Sequence, residues 1–267
     1  MSDLLAGTRL NLDGPAGGHL AGADLALPAG SITARLADSP ASAGLLVAAL
    51  GGLIRPTSGR IELRGRPLGA WSPRQALRAG VASAWRHRSL LPGLPAWRSL
   101  VLGGPLDRGS GFAPLRASVA LRELALETAR LGLGEDGLRR PPEALPAAQR
   151  GLLLVARAFA AGRTAVLLDE PTIGLPVDTV ALVLARCIEA RAADAAILLA
   201  TTNVQHAWAV ADRFALLYQG RILAVLGRTQ TRREELYRAM FGAQDYQDLA
   251  LQMQQAGAPG GAEAEQA

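Results

Sequence analysis

Two acidic residues that follow an apolar run are the strongest candidates for chemistry in this chain. Asp169 and Glu170 come directly after the run at 164–168, a pattern typical of a parallel strand covered on both faces. The carboxyl ends of parallel strands form the edge at which open α/β folds bind ligands. We therefore expect both carboxylates at a ligand-binding edge, where acidic side chains can take part in binding and acid–base chemistry.

The types of basic and sulfur-containing residues exclude other chemistries. All 28 basic residues are arginine, which excludes Schiff-base chemistry, pyridoxal phosphate attachment and a phosphate-loop lysine. Cys187 is the single cysteine, and it shares no metal-ligand spacing with the three histidines. The formal net charge is only +5, so we expect no nucleic acid partner.

The elements that must position Asp169 and Glu170 predict an α/β fold. Residues 1–36 have the pattern of short strands, and a buried helix follows at 44–53. From 164 to 225 strands and helices alternate, which predicts a mainly parallel sheet with helices on both faces. The segment at 72–145 is mostly helical in pattern, apart from the Gly- and Pro-rich stretch at 91–114, and is expected to be an inserted helical subdomain.

Length and hydropathy favour a globular chain. The 267 residues are 49% apolar, enough for one large core. The longest apolar run, at 43–54, has about a dozen residues, whereas a bilayer span needs roughly 20. The first residues lack a basic stretch followed by an apolar one, so we expect no secretory signal. A cytoplasmic location fits the single cysteine.

Three stretches resemble the ATP-binding cassette (ABC) ATPase domain of ABC transporters. They are LGGLIRPTSGRI at 50–61, VLLDEPTIGL at 166–175 and ADRFALLYQGRI at 211–222. The resemblance extends over about residues 5–242 and is nearest to subunits of bacterial carbohydrate importers. It implies a P-loop-NTPase-like, mainly parallel sheet flanked by helices, with an N-terminal antiparallel β subdomain and an inserted α-helical subdomain at about 86–160. Residues 243–267 are expected to form a C-terminal helix and a disordered tail.

The resemblance also implies site residues. Asp169 takes the magnesium position, and Glu170 takes the position that polarises the attacking water. The phosphate loop falls on residues 37–44. The other positions implied to contact nucleotide are Ser39, Ser42, Gly44 and Leu45 in and after the phosphate loop, Arg86 in the Q-loop, Gln149 in the signature loop and Thr202 at the switch position.

Several of these positions depart from the family pattern. Ala43 stands where the family has lysine, and Gly44 where it has a hydroxyl that binds magnesium. Pro146 replaces the signature serine, and Pro176 replaces the D-loop aspartate. No aromatic residue precedes Trp71, so none can stack on adenine at the usual place. His206 lies one helical turn beyond the switch position, where a helix-surface histidine of no special role is the commoner case.

These departures lead to one expectation and two alternatives. We expect an ABC transporter subunit, of an importer of sugars or similar solutes, with weak or absent binding of ATP and Mg²⁺ and little hydrolysis. It would act as the structural or coupling half with a transmembrane permease, a second nucleotide-binding subunit and, indirectly, a solute-binding protein, peripheral on the inner face of the cell membrane. One alternative is an active ATPase in which Arg35 or Arg86 replaces the lysine. The other is a soluble regulator or scaffold.

Overall fold

The computed structural model describes residues 3–14, 17–37, 44–69, 71–85, 90–101, 117–160 and 163–241. The strands within these ranges are β1 (Asp3–Asp13), β2 (His19–Pro28), β3 (Ile32–Ala37), β4 (Ser58–Leu63), β5 (Arg66–Leu68), β6 (Val81–Ala84), β7 (Ala165–Asp169), β8 (Ala196–Ala200), β9 (Arg213–Tyr218) and β10 (Arg221–Gly227). The α-helices are α1 (Leu45–Leu50), α2 (Pro73–Arg78), α3 (Ala96–Val101), α4 (Ala117–Arg130), α5 (Glu135–Arg139), α6 (Ala147–Phe159), α7 (Val177–Ala192), α8 (Val204–Val210) and α9 (Arg233–Phe241).

The N-terminal part contains a four-stranded antiparallel sheet. Its strand order is β2-β1-β4-β5, and all three pairings are antiparallel. Its inward-facing leucines pack with five of the six residues of α1, all except Ala48, in one core cluster. The antiparallel β subdomain is confirmed.

The second sheet has six strands in the order β10-β9-β3-β8-β7-β6. Every pairing is parallel except that of β9 with β10. All residues of β7 and β8 are buried, as the continuous apolar runs predict, because helices cover one face and α1 with the antiparallel sheet covers the other. The α/β class with a mainly parallel sheet is therefore confirmed.

Strand β6 corrects one expectation from the sequence. Residues 72–145 were expected to be mostly helical outside the Gly- and Pro-rich stretch, but Val81–Ala84 form a strand. Val81 pairs with Ala165 and Ala84 with Leu168, both in β7. Four residues are too short to show a strand period, and helix and strand are hard to distinguish in short apolar runs. Pairing with β7, and not the local sequence, determines this element.

The helices between β6 and β7 form a layer beside the six-stranded sheet. Leu100 of α3, Leu124 of α4, Leu138 of α5 and Leu152 of α6 are buried in the same core cluster. Helix α3 begins inside the stretch that the sequence marked as Gly- and Pro-rich. Within the described ranges, none of the helices combines the length and the apolar composition that crossing a bilayer requires. The C-terminal helix and tail predicted at 243–267 lie outside the described residues.

Candidate functional site

The two acidic residues lie at the carboxyl edge of the parallel sheet, where the sequence placed them. Asp169 is the last residue of β7, and the Glu170 backbone N–H donates to the Ala200 carbonyl oxygen of β8 at 2.8 Å. Only 3% of Asp169 and 5% of Glu170 is exposed. Both carboxylates therefore sit in surroundings where charge must be balanced by nearby donors.

The Glu170 carboxylate is held by the end of β8. Glu170 has a φ of 46°, a left-handed conformation that is uncommon for a residue with a side chain. Its Oε1 accepts the Thr202 backbone N–H at 2.7 Å, and its Oε2 accepts the Thr201 hydroxyl at 3.2 Å. The backbone of the switch position therefore contacts this carboxylate, although the side chain there is threonine.

The Asp169 carboxylate lies beside Gly44, at the start of α1. A Cβ atom built on Gly44 would be 2.8 Å from Asp169 Oδ2 and 2.9 Å from Trp85 Nε1. Gly44 has φ −77° and ψ −13°, which is ordinary helical backbone. The backbone at this position would therefore permit another residue, but a side chain here would require Asp169 or Trp85 to shift.

His206 contacts the segment that follows Glu170. Its Nδ1 lies 2.9 Å from the Thr172 hydroxyl oxygen. Burial lowers the pKa of His206, and the charge of Glu170 acts in the opposite direction. The expectation of a helix-surface histidine therefore missed a polar contact, which the sequence could not show because Thr172 is distant along the chain.

An open cleft of about 860 Å³ lies between this edge and the helical layer. Asp169 and Glu170 line it together with Trp85, which follows β6. Ala147 and Ala148 at the signature position, and Arg150 just after it, also line the cleft. Its apolar walls include Leu90, Leu154, Ile173 and Leu175. The cleft thus brings together the ends of β6 and β7 and the start of α6.

The signature-position helix begins at a proline. Pro146 is the N-cap of α6, and no side chain caps that end. The Arg150 guanidinium donates to the Leu145 carbonyl oxygen at 2.6 Å. Proline suits the start of a helix because its missing N–H would be unsatisfied there. The helix therefore forms although proline precedes it, and Gln149 lies half-buried in its first turn.

The structure brings some of the predicted site residues together. Gly44 lies against Asp169, and the Thr202 backbone against Glu170. Leu45 is buried in the core at the start of α1. Ser39, Ser42 and Arg86 lie outside the described residues.

Arg35, a candidate replacement for the lysine, is fully buried in β3. Its neighbours in the sheet register are Ala200 and Ala215. Its guanidinium therefore does not reach the exposed surface of the cleft. Sequence reasoning about the site had missed Trp85 and Thr201. Thr201 directly follows the apolar run of β8, which was a signal, whereas Trp85 follows β6, which the local sequence did not predict.

Together, the order of the six-stranded sheet, the antiparallel subdomain and the helical layer define an ATP-binding cassette fold. A solved structure of the ATP-binding subunit of an ABC transporter matches with a TM-score of 0.71 at 24% identity, over 93% of this chain and 99% of the solved chain. A bacterial ABC transporter cassette solved as a dimer matches with a TM-score of 0.73 at 15% identity, over 84% of this chain and 99% of that one.

The family model for ABC transporters matches residues 20–173, and the chain belongs to this family. It is 29% identical over 228 residues to the fructose import ATP-binding protein FrcA of Rhizobium meliloti, covering 84% of this chain and 88% of that protein. It is 28% identical to the ribose import ATP-binding protein RbsA 2 of Rubrobacter xylanophilus, covering 83% of this chain but only 42% of that protein. The chain is thus similar to ATP-binding subunits of sugar importers.

The magnesium ion that this family implies does not fit the residues that the structure describes around Asp169. Magnesium needs oxygen ligands in nearly octahedral geometry. Gly44 supplies no hydroxyl opposite Asp169, and the Trp85 indole nitrogen lies 2.9 Å from where the Cβ of a side chain at position 44 would be.

Proposed function

We propose that this chain is a nucleotide-binding subunit of a bacterial carbohydrate importer that hydrolyses little or no ATP itself. It would act as the structural or coupling half of the transporter. The observation that carries the proposal is Gly44 beside the buried Asp169 carboxylate. The class of cargo follows from the fructose and ribose import relatives.

The lost side chains are those that would hold the phosphates and their metal. Ala43 replaces a cation, and Gly44 replaces a hydroxyl. A hydrogen bond to a charged group contributes about 1.5–3 kcal/mol. Losing the lysine and the backbone N–H that Pro40 lacks would weaken nucleotide binding by roughly two to four orders of magnitude, at about 1.4 kcal/mol per factor of ten. The burial of Arg35 disfavours the alternative in which that residue replaces the lysine.

The surroundings of Glu170 support a structural role for this residue. Its carboxylate is buried and accepts hydrogen bonds from Thr201 and Thr202. These contacts connect the ends of β7 and β8 within one chain. A carboxylate that must polarise water needs to reach that water at hydrogen-bond distance. Glu170 lines the cleft, but both of its carboxylate oxygens already accept from protein donors.

The surface around the cleft supports a protein partner at this edge. Residues 173–177, of sequence IGLPV, follow β7, and Ile173 is 60% and Val177 84% exposed. Ile173 also lines the cleft. Exposed apolar patches of this kind mark interaction sites. We assign a second cassette to this surface, with the permease holding the pair at the inner face of the membrane.

Calorimetry of the isolated chain tests the loss of nucleotide binding. ATP is titrated with magnesium and, separately, with EDTA, and an unrelated active cassette serves as the positive control. We expect no saturable heat below millimolar ATP. Micromolar affinity would contradict the proposal. Phosphate release that E170Q abolishes would establish the active ATPase instead.

Co-expression tests the partner assignment. The tagged chain is purified from cells that also express a permease and a second cassette of a carbohydrate importer, taken from next to its gene where such genes are found. We expect both to co-purify with the wild type and with I188D, which alters an exposed residue of α7. The double variant I173D/V177D should lose the cassette. Recovery of the chain alone in every case would favour the soluble regulator.

A further inference from the structure

The space around Gly44 is filled by two side chains from different strands. Asp169 ends β7, and Trp85 follows β6, the edge strand beside β7. A Cβ atom at position 44 would be 2.8 Å from Asp169 Oδ2, 3.2 Å from Asp169 Cγ and 2.9 Å from Trp85 Nε1. Carbon and polar atoms do not approach so closely without a shift of one of them. Any side chain at position 44 must therefore displace the indole or the carboxylate.

We propose that Trp85 is a specificity-determining residue that excludes a divalent metal ion from the Asp169 carboxylate, with Gly44 as its steric complement. The indole N–H is a donor only and cannot coordinate a cation. Its nitrogen lies on the side of Gly44 that Asp169 also faces. A metal ion bridging Asp169 and a ligand at position 44 would need the volume that the indole takes.

This inference deepens the proposed function and rests on it in part. It adds that metal binding is prevented by the Trp85 side chain, as well as by the absence of a ligand side chain at position 44. A serine at position 44 would not restore metal binding while Trp85 is present. Any nucleotide that the wild type does bind would bind equally well with and without magnesium.

A double-mutant cycle of unfolding tests the steric coupling. The variants are G44S, W85F and G44S/W85F, measured by urea denaturation. Because phenylalanine removes the indole nitrogen but leaves the Asp169 carboxylate 2.8 Å from a Cβ at position 44, the loss of stability caused by G44S should become smaller, though not vanish, when W85F is present. W97F, which alters a tryptophan of α3, is the matched control and should leave the G44S effect unchanged. An equal effect of G44S in all backgrounds would overturn the proposal.

Binding of Mn²⁺ alone, followed by electron paramagnetic resonance, tests the exclusion directly. We expect no binding by the wild type or G44S at about 1 mM Mn²⁺, which is the upper end of typical enzyme KM values. G44S/W85F should bind at least tenfold more tightly than G44S, and D169N in that background should abolish binding. If W85F does not fold, W85Y replaces it in both experiments.

The outcomes separate this inference from the proposed function. Micromolar ATP binding that EDTA leaves unchanged would overturn the proposed function and support metal exclusion. Binding of Mn²⁺ by the wild type, through Asp169, without ATP binding would overturn metal exclusion and leave the proposed function standing.

Discussion

Glu127→Ala is expected to destabilise the protein by removing the ion pair that joins α4 of the helical layer to α7. Glu127 of α4 is buried, and its Oε2 accepts from Arg186 Nε at 2.8 Å while its Oε1 accepts from Arg186 Nη2 at 3.1 Å. Arg130 Nη1 donates to the same carboxylate at 2.8 Å. The side chain of Arg186 is only 13% exposed. The substitution would therefore leave a mostly buried guanidinium without its main counter-charge.

The expected loss of unfolding free energy depends on the contacts that Arg186 retains. Removing one partner of a buried ion pair costs about 3–5 kcal/mol. Arg186 retains Glu189 at 3.7 Å and lies over the Phe159 ring at 4.8 Å, so we expect the lower end, about 3 kcal/mol. Urea denaturation with linear extrapolation gives the change in unfolding free energy.

The matched control is Glu135→Ala. Glu135 pairs with Arg139 at 2.7 Å, but the two side chains are 51% and 62% exposed. Surface pairs at this spacing contribute about 0.3–0.5 kcal/mol. The control should therefore lower the unfolding free energy by no more than about 0.5 kcal/mol. The reasoning about burial would be refuted if both substitutions cost the same, or if E127A cost under about 1 kcal/mol.

The remaining predictions concern pH, thiol reactivity and backbone space. Burial lowers the pKa of His206, so the unfolded chain takes up a proton at higher pH, and stability from this group should fall below about pH 6.5. Thermal unfolding of H206Q should be less sensitive to pH between about 7 and 5 than that of the wild type, and an identical pH dependence would contradict this. Burial raises the pKa of Cys187 to about 12, so a disulfide reagent should react with it only after urea unfolding; fast reaction in the native state would show that it is accessible. G59A should cost at least about 2 kcal/mol more than G65A, as measured by urea denaturation. Both glycines have positive φ, but only at Gly59 would a Cβ lie 2.3 Å from the Arg9 carbonyl oxygen; equal losses would refute the steric part of this argument.

The sequence alone predicted the family, the α/β class and most strands, because these depend on local patterns. The buried runs at β7 and β8 are continuous and apolar, and the segment at 166–175 places Asp169 and Glu170 at a strand end. The presence of Ala43 where the family has lysine can also be read directly from the sequence. Local composition is enough for these features because strand burial and motif identity are written in neighbouring residues.

Only the tertiary structure showed what surrounds those residues. Strand β6 forms because Val81–Ala84 pair with β7, and this pairing brings Trp85 to the side of Gly44 where Asp169 lies. The contacts of Glu170 with Thr201 and Thr202 likewise join residues about 30 positions apart. Such contacts depend on strand order and on the available volume, and neither has a local signature in the sequence. The sequence therefore determined which side chains the site lacks, and the packing of three separate segments determined how the remaining space is filled.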